Sequence, residues 1–268
     1  MDSYTPNMDG CHLTKNNLEN RFMGKTRTRE QTRQQGGYNS NPSDHDRMIG
    51  QNFKEKIDKT PLSPKTEKQR KYMNSIIHNT VTISTGPAGT GKTYIATKLA
   101  CQALHNGEVD KIYITRPMVE AGEEEPELGA LPGSELEKTL PHFMSVVSII
   151  QGYFGKSFFE YLVKMGRIEM VPIALMRGRS FADCYLLCDE MQNASESTMK
   201  LILTRIGENC KVIIDGDVSQ KDIKVSGLDD LLKRLEDHPI KGVNAIEFEL
   251  EDVVRSGICK EFLKMYSK

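Results

Sequence analysis

The stretch from Val81 to Ala100, VTISTGPAGTGKTYIATKLA, constrains this chain more than any other, because it joins a short β-branched run to a glycine-rich turn and then to a run of helical character. Inside it, Gly86, Pro87, Ala88, Gly89, Thr90, Gly91, Lys92 and Thr93 complete the pattern G-x-x-x-x-G-K-[ST]. Each residue type has a physical reason to be there. The glycines let backbone N–H groups converge on phosphate oxygens, and the following helix N-terminus adds a positive dipole. Lys92 would reach the β- and γ-phosphates, and the Thr93 hydroxyl would ligate Mg²⁺. The bland alternative is a glycine turn that only punctuates a strand–helix unit.

A nucleoside triphosphate site needs acidic groups as well, and a second segment supplies them. Cys184-Tyr-Leu-Leu-Cys188 reads as a buried strand that runs directly into Asp189 and Glu190. At such a strand end Asp189 fits the residue that holds the Mg²⁺ shell, and Glu190 fits the base that polarises an attacking water. An Asp-Glu pair alone is common; one that ends an apolar strand about a hundred residues after a phosphate loop is specific. Thymidylate-type kinases and small GTPases would not need the second carboxylate, and no Asn-Lys-x-Asp string is present to read guanine.

The rest of the chain alternates strand-like and helix-like segments, which predicts βαβ units around a parallel sheet. Residues 1–62 are polar and lack apolar periodicity, so they read as a mobile tail, and 63–268 as one ATPase domain. Arg21, Lys25, Arg27, Arg29 and Arg33 form a basic cluster that either touches nucleic-acid phosphates or belongs to a solvated linker. Thr66 to Asn79 has helical spacing and carries Gln69, placed either to read an adenine edge or simply on the surface. A strand over Lys111–Thr115 leads to Arg116, a site candidate because ligands bind beyond strand C-termini, with a surface salt bridge as the alternative. Glu120 to Gly133 is an acidic, proline- and glycine-containing loop, and Ser134 to Met165 is helical in pattern with a break near Gly152 and Gly155.

Further strands are predicted at Ile168–Val171, Lys211–Asp215 and Ala245–Glu249, with helices over about 195–206 and 227–235 and a last one ending at Tyr266. After the strand at 211 stands Gly216-Asp217-x-x-Gln220, where Gln220 would point at the γ-phosphate from a neighbouring strand. Arg255 in Asp252-Val-Val-Arg255 is either a helix-start partner of Asp252 or an arginine finger, in cis or from a neighbouring subunit. The formal net charge of -1 implies no strong field, so any nucleic-acid partner must be argued from local patches. Six cysteines without CxxC or zinc-like spacing, a polar N-terminus and the lack of a long apolar run predict a cytoplasmic protein with no membrane partner.

The runs TGPAGTGKTYIA, TRPMVEAGE, LPG, RGRSF, DEMQN, LTRIG, GDVSQ, SGL and DVVRS, in this order over about residues 66 to 266, resemble the PhoH-like family of phosphate-starvation-inducible ATPases. The resemblance implies a RecA-like α/β domain related to superfamily 1 helicases that binds and hydrolyses ATP with Mg²⁺, with members linked to RNA metabolism and unwinding. It implies Gly86 to Thr93 as the ATP loop, Asp189 and Glu190 as metal and water residues, and Gln192 as the glutamine of the acidic motif. Gln220 would be the γ-phosphate sensor, and Arg205 and Arg255 basic residues facing nucleotide or a neighbour. The chain departs from relatives in its acidic insertion around Glu124 to Glu127, in Ala130 where an aromatic is common, and in Met191 within DEMQ. No PIN-type nuclease domain is present, so ribonuclease activity does not transfer.

The expected function is ATP hydrolysis coupled to RNA or another single-stranded nucleic acid. Superfamily 1 helicases close a cleft between two lobes, whereas this chain has length for one, so the missing wall is expected from another copy in a homo-oligomer, a hexameric ring being one arrangement. Arg179 joins Arg205 and Arg255 as a candidate for the residue donated across that interface. Two other classes remain: an ATP-gated interaction module with little turnover, and a small-molecule phosphotransferase.

Overall fold

In the computed structural model the described residues are 57–117 and 140–266. Most of the expected tail, its basic cluster and the acidic loop from Glu120 to Gly133 lie outside them.

The described chain opens with an extended segment and helix α1, Glu67–His78, started by the Thr66 hydroxyl, which accepts from the Gln69 N–H. Strand β1, Val81–Thr85, follows and is buried along its whole length. Next come α2, Lys92–Asn106, ended by left-handed Gly107, and β2, Lys111–Thr115. The helical region after the acidic loop forms α3, Met144–Phe154, and α4, Lys156–Lys164. The break between them falls at Gly155 with φ +80°, while Gly152 continues α3. Strand β3, Ile168–Met170, strand β4, Cys184–Cys188, helix α5, Glu196–Leu203, and strand β5, Cys210–Gly216, complete the middle of the chain. The last elements are α6, Gly227–Asp237, β6, Val243–Glu247, and α7, Gly257–Tyr266.

The six strands form one sheet in the order β3-β2-β4-β5-β1-β6, and every pairing is parallel. This is the α/β fold of a P-loop NTPase, with helices on both faces. Period-two alternation explains the two faces. On β4, Tyr185 and Leu187 join the cluster under α1 to α4, while Cys184, Leu186 and Cys188 join the cluster under α5 and α6. Burial on both faces accounts for the continuous apolar reading of β4 and β5.

Topology then fixes the site. Strand β5 lies between the phosphate-loop strand β1 and the acidic strand β4, in register Ile83↔Ile214 and Leu187↔Ile213. All three parallel strands therefore deliver their C-terminal ends to one rim. Two expectations about the C-terminal part shift. β6 begins two residues before the predicted Ala245, because Val81↔Val243 sets its register on β1. Residues 253–256 are outside α7, which starts at Gly257; Asp252 instead accepts from the Glu249 N–H in a capping box.

Candidate functional site

The phosphate loop owes its shape to left-handed glycines: Gly86, Gly89 and Gly91 have φ of +117°, +85° and +87°. Space matters as much as φ at two of them. A Cβ on Gly86 would lie 2.1 Å from the Phe248 carbonyl oxygen, and one on Gly89 would lie 2.8 Å from the Arg255 side chain. Gly91 caps α2 without any side-chain hydrogen bond, so the first N–H groups of that helix are offered to the loop. Lys92, the first residue of α2, donates from Nζ to the carbonyls of Gly86 at 2.6 Å and Pro87 at 3.0 Å.

Acidic groups surround that ammonium. Burial lowers the Lys92 pKa, and the charges of Asp215, Asp217, Glu190 and Asp189 act against this. Asp189 accepts at Oδ1 from the Thr93 hydroxyl at 3.2 Å and at Oδ2 from the Ser145 hydroxyl at 3.1 Å. Burial raises its pKa with help from Glu190, while Ser145, Arg116 and Thr93 pull it back. Glu190 holds left-handed backbone at φ +55°, an unusual conformation for a non-glycine residue, at the turn that follows β4. Gln192 donates to Glu190 Oε2 at 2.7 Å and accepts the Asp217 N–H at 3.1 Å, tying the acidic pair to the end of β5. Asp217 caps the short 3₁₀ turn Val218–Gln220, which brings Gln220 to the same cleft.

The cleft encloses about 790 Å³ and is lined by the phosphate loop, Asp189, Glu190, Gln220 and Arg255. Thr60 to Ser63, Lys65, Gln69 and Tyr94 also line it, as do Asp58 and Lys98. Gln69 is buried rather than on the surface, with its Nε2 donating to the Thr90 carbonyl at 2.8 Å and its Oε1 accepting the Lys65 N–H at 2.7 Å. Arg255 lies against Gly89, next to Val254, whose N–H donates to the Gly89 carbonyl at 3.0 Å. It therefore borders the cleft of its own subunit, and Asp252 is engaged elsewhere. Arg116 donates to the His142 carbonyl at 2.6 Å, and its charge acts on Asp189. Arg205 is corrected as a residue facing the nucleotide in the same subunit: it follows α5 and leads into the N-terminal end of β5, opposite the rim that holds the loop.

Three participants escaped sequence reasoning. Ser145 sits in a helical run whose position over Asp189 depends on tertiary packing, and no local pattern marks it. Asp215, the next-to-last residue of β5, is buried and accepts at Oδ1 from Tyr72 at 2.7 Å and from Ser84. Burial moves its pKa up to about 6, against the two hydroxyls. Its place at the end of an apolar strand was a usable signal, as was the position of Asp217 in Gly216-Asp217-x-x-Gln220.

With this geometry in view, the profile of the PhoH-like protein family matches residues 61–267. The chain belongs to the PhoH-like family. It is 39% identical over 215 residues to Protein PhoH of Escherichia coli K12, covering 78% of this chain and 59% of that protein. It is 42% identical over 207 residues to a PhoH-like protein of Bacillus subtilis, covering 76% and 63%, and 37% identical over 207 residues to one from Synechocystis, covering 76% and 62%. This PhoH-like chain thus spans about three-fifths of the length of those relatives. Among the described residues, no helix is long and apolar enough to cross a membrane.

Proposed function

We propose that this PhoH-like protein binds ATP in the cleft at the strand ends and hydrolyses it, in the cytoplasm, coupling turnover to RNA or another single-stranded nucleic acid. The observation that carries the reading is the convergence of Lys92, Thr93, Asp189 and Glu190 on one cleft behind three left-handed glycines. The donor set suits Mg²⁺, a hard cation that favours oxygen ligands: the Thr93 hydroxyl and the Asp189 carboxylate stand side by side. Thr93 and Asp189 would hold the ion, which supplies charge neutralisation at the phosphate oxygens.

The chain's own groups do the remaining work. Lys92 and the N–H groups at the start of α2 bind the phosphates, and Glu190 accepts a proton from water as it attacks the γ-phosphorus in line. Gln220 and Arg255 are assigned to the γ-phosphate end, Gln220 as sensor and Arg255 as a stabiliser of developing charge. Gln69 keeps one amide N–H and one oxygen lone pair beyond its two bonds in the protein, a pattern that matches the N7 acceptor and N6 donor of adenine. The same reading includes assembly into a homo-oligomer, in which Arg179 or Arg205 of another copy would complete the cleft.

The test is ATP turnover measured with and without single-stranded RNA and DNA at fixed ionic strength, beside Glu190→Gln. Stimulation by one polymer, lost in the variant, is the expected result. Tight ATP binding without turnover under any condition would replace this reading with the ATP-gated switch.

A further inference from the structure

The segment from Ile57 to Lys65 has no helix or strand, yet it is fastened at both ends. At one end the Asp58 N–H donates to the Tyr153 carbonyl of α3 at 2.8 Å, and the Asp58 carboxylate pairs with Lys98 of α2. Lys98 is the unusual member of that pair. Its side chain is only 7% exposed, and its ammonium lies 5.0 Å from the centre of the Tyr153 ring. Lys98 and Thr60 together hold the Asp58 carboxyl well below the usual carboxylate range. At the other end the Lys65 N–H bonds to Gln69, and Gln69 bonds to the Thr90 carbonyl of the phosphate loop. Hydrogen bonds and one ion pair thus join α2 and α3, through the extended segment, to the loop itself.

Between those two anchors Thr60, Pro61, Leu62 and Ser63 line the cleft, and Asp58 and Lys98 border it beside them. On the ATP reading, with the triphosphate on Lys92 and the loop, the nucleoside is assigned to the part of the cleft lined by Thr60 to Ser63 and Gln69. We propose that Asp58 and Lys98 are positioning residues for nucleotide binding: their ion pair holds the 60–65 wall in the place where it meets the base and ribose. The inference rests on the ATP reading above. A buried lysine is costly without a partner, and an aspartate at the tip of an irregular segment is the residue that fixes that segment to the rigid helix beneath. Preorganising a wall in this way raises affinity by sparing the ordering entropy on binding, and it acts only on ligand groups that touch the wall.

That last point supplies the test. Equilibrium binding of Mg²⁺-ATP and of inorganic tripolyphosphate is measured on the full chain for wild type, Asp58→Asn, Asp58→Glu and Lys98→Met. Asp58→Asn keeps the carbonyl that accepts from Thr60 and removes the charge facing Lys98. The expected result is a loss of about tenfold in ATP affinity for Asp58→Asn and Lys98→Met, recovery in Asp58→Glu, and tripolyphosphate affinity within about twofold of wild type throughout. KM for ATP should rise by the same factor while kcat stays within about twofold. Equal losses for ATP and tripolyphosphate, or unchanged ATP affinity, would overturn the proposal. Should Asp58→Asn fold poorly, Lys98→Met, which replaces the buried ammonium with an apolar chain, carries the same comparison. Wild type that binds tripolyphosphate but shows no gain from the nucleoside overturns the wall alone; wild type that binds neither overturns the ATP reading with it.

Discussion

Asp215→Asn isolates the cost of a buried carboxylate under the phosphate loop. Asp215 is fully enclosed, and burial lifts its pKa from 3.8 to about 6, with the Asp189 charge adding to the rise and the hydroxyls of Ser84 and Tyr72 and the charge of Lys92 opposing it. Because the folded pKa lies above the unfolded one, the native state holds the proton more tightly. This contribution to stability is fully present below about pH 4 and is lost as pH rises through about 6. A shift of about two units corresponds to about 3 kcal/mol in full, of which about 2 kcal/mol falls between pH 4.5 and 7.5. Asparagine keeps the geometry, since Tyr72 and Ser84 both donate to the same oxygen, Oδ1, which the amide carbonyl can replace. Urea unfolding of wild type and variant at pH 4.5, 6 and 7.5 measures the difference. The variant should gain on wild type by about 2 kcal/mol across that range. A difference that stays flat with pH, or that shrinks as pH rises, would refute the assignment of a strained, titrating carboxylate at this position.

Two further substitutions test the geometry of the loop and of the acidic pair. Gly86→Ala places a Cβ 2.1 Å from the Phe248 carbonyl at φ +117°, so it should cost at least about 2 kcal/mol in thermal or denaturant unfolding and weaken phosphate binding with it. Ser145→Ala removes the hydroxyl on Asp189 Oδ2 and leaves Thr93 on Oδ1, so the Mg²⁺ concentration needed for half-maximal nucleotide binding should rise by about tenfold, read with Mn²⁺-ADP by electron paramagnetic resonance as well as by turnover.

The parts of this site that could be read from sequence are those encoded locally. The phosphate loop needs glycines at fixed offsets, and the acidic strand needs an apolar run ending in carboxylates, so both are visible as strings. Parallel strands buried on two faces have continuous apolar runs, and β1, β2, β4 and β5 were legible for that reason. β6 is more exposed and mixed in composition, and it runs over Val243–Glu247 rather than the expected Ala245–Glu249 because pairing with β1, rather than its own pattern, sets its ends. At Arg255 packing decides between two readings: Asp252 and Arg255 have the spacing of a helix-start pair, yet the chain there turns back onto Gly89, which leaves Arg255 bordering the cleft, and the helix begins later. Ser145 and Asp58 lie far in sequence from the groups they serve, Asp189 and Lys98, and neither sits in a recognisable string. Charge pairing across such distances is decided by packing, which no local window contains.

We propose that ATP is bound and cleaved where Lys92, Thr93, Asp189 and Glu190 meet. Steady-state phosphate release from Mg²⁺-ATP by wild type, Lys92→Ala and Glu190→Gln, with nucleotide binding measured on the same samples, addresses it most directly. The expected results are turnover in wild type, loss of binding and turnover in Lys92→Ala, and retained binding with turnover lowered by at least about a hundredfold in Glu190→Gln. Normal hydrolysis by Glu190→Gln, or undiminished ATP binding by Lys92→Ala, would contradict it.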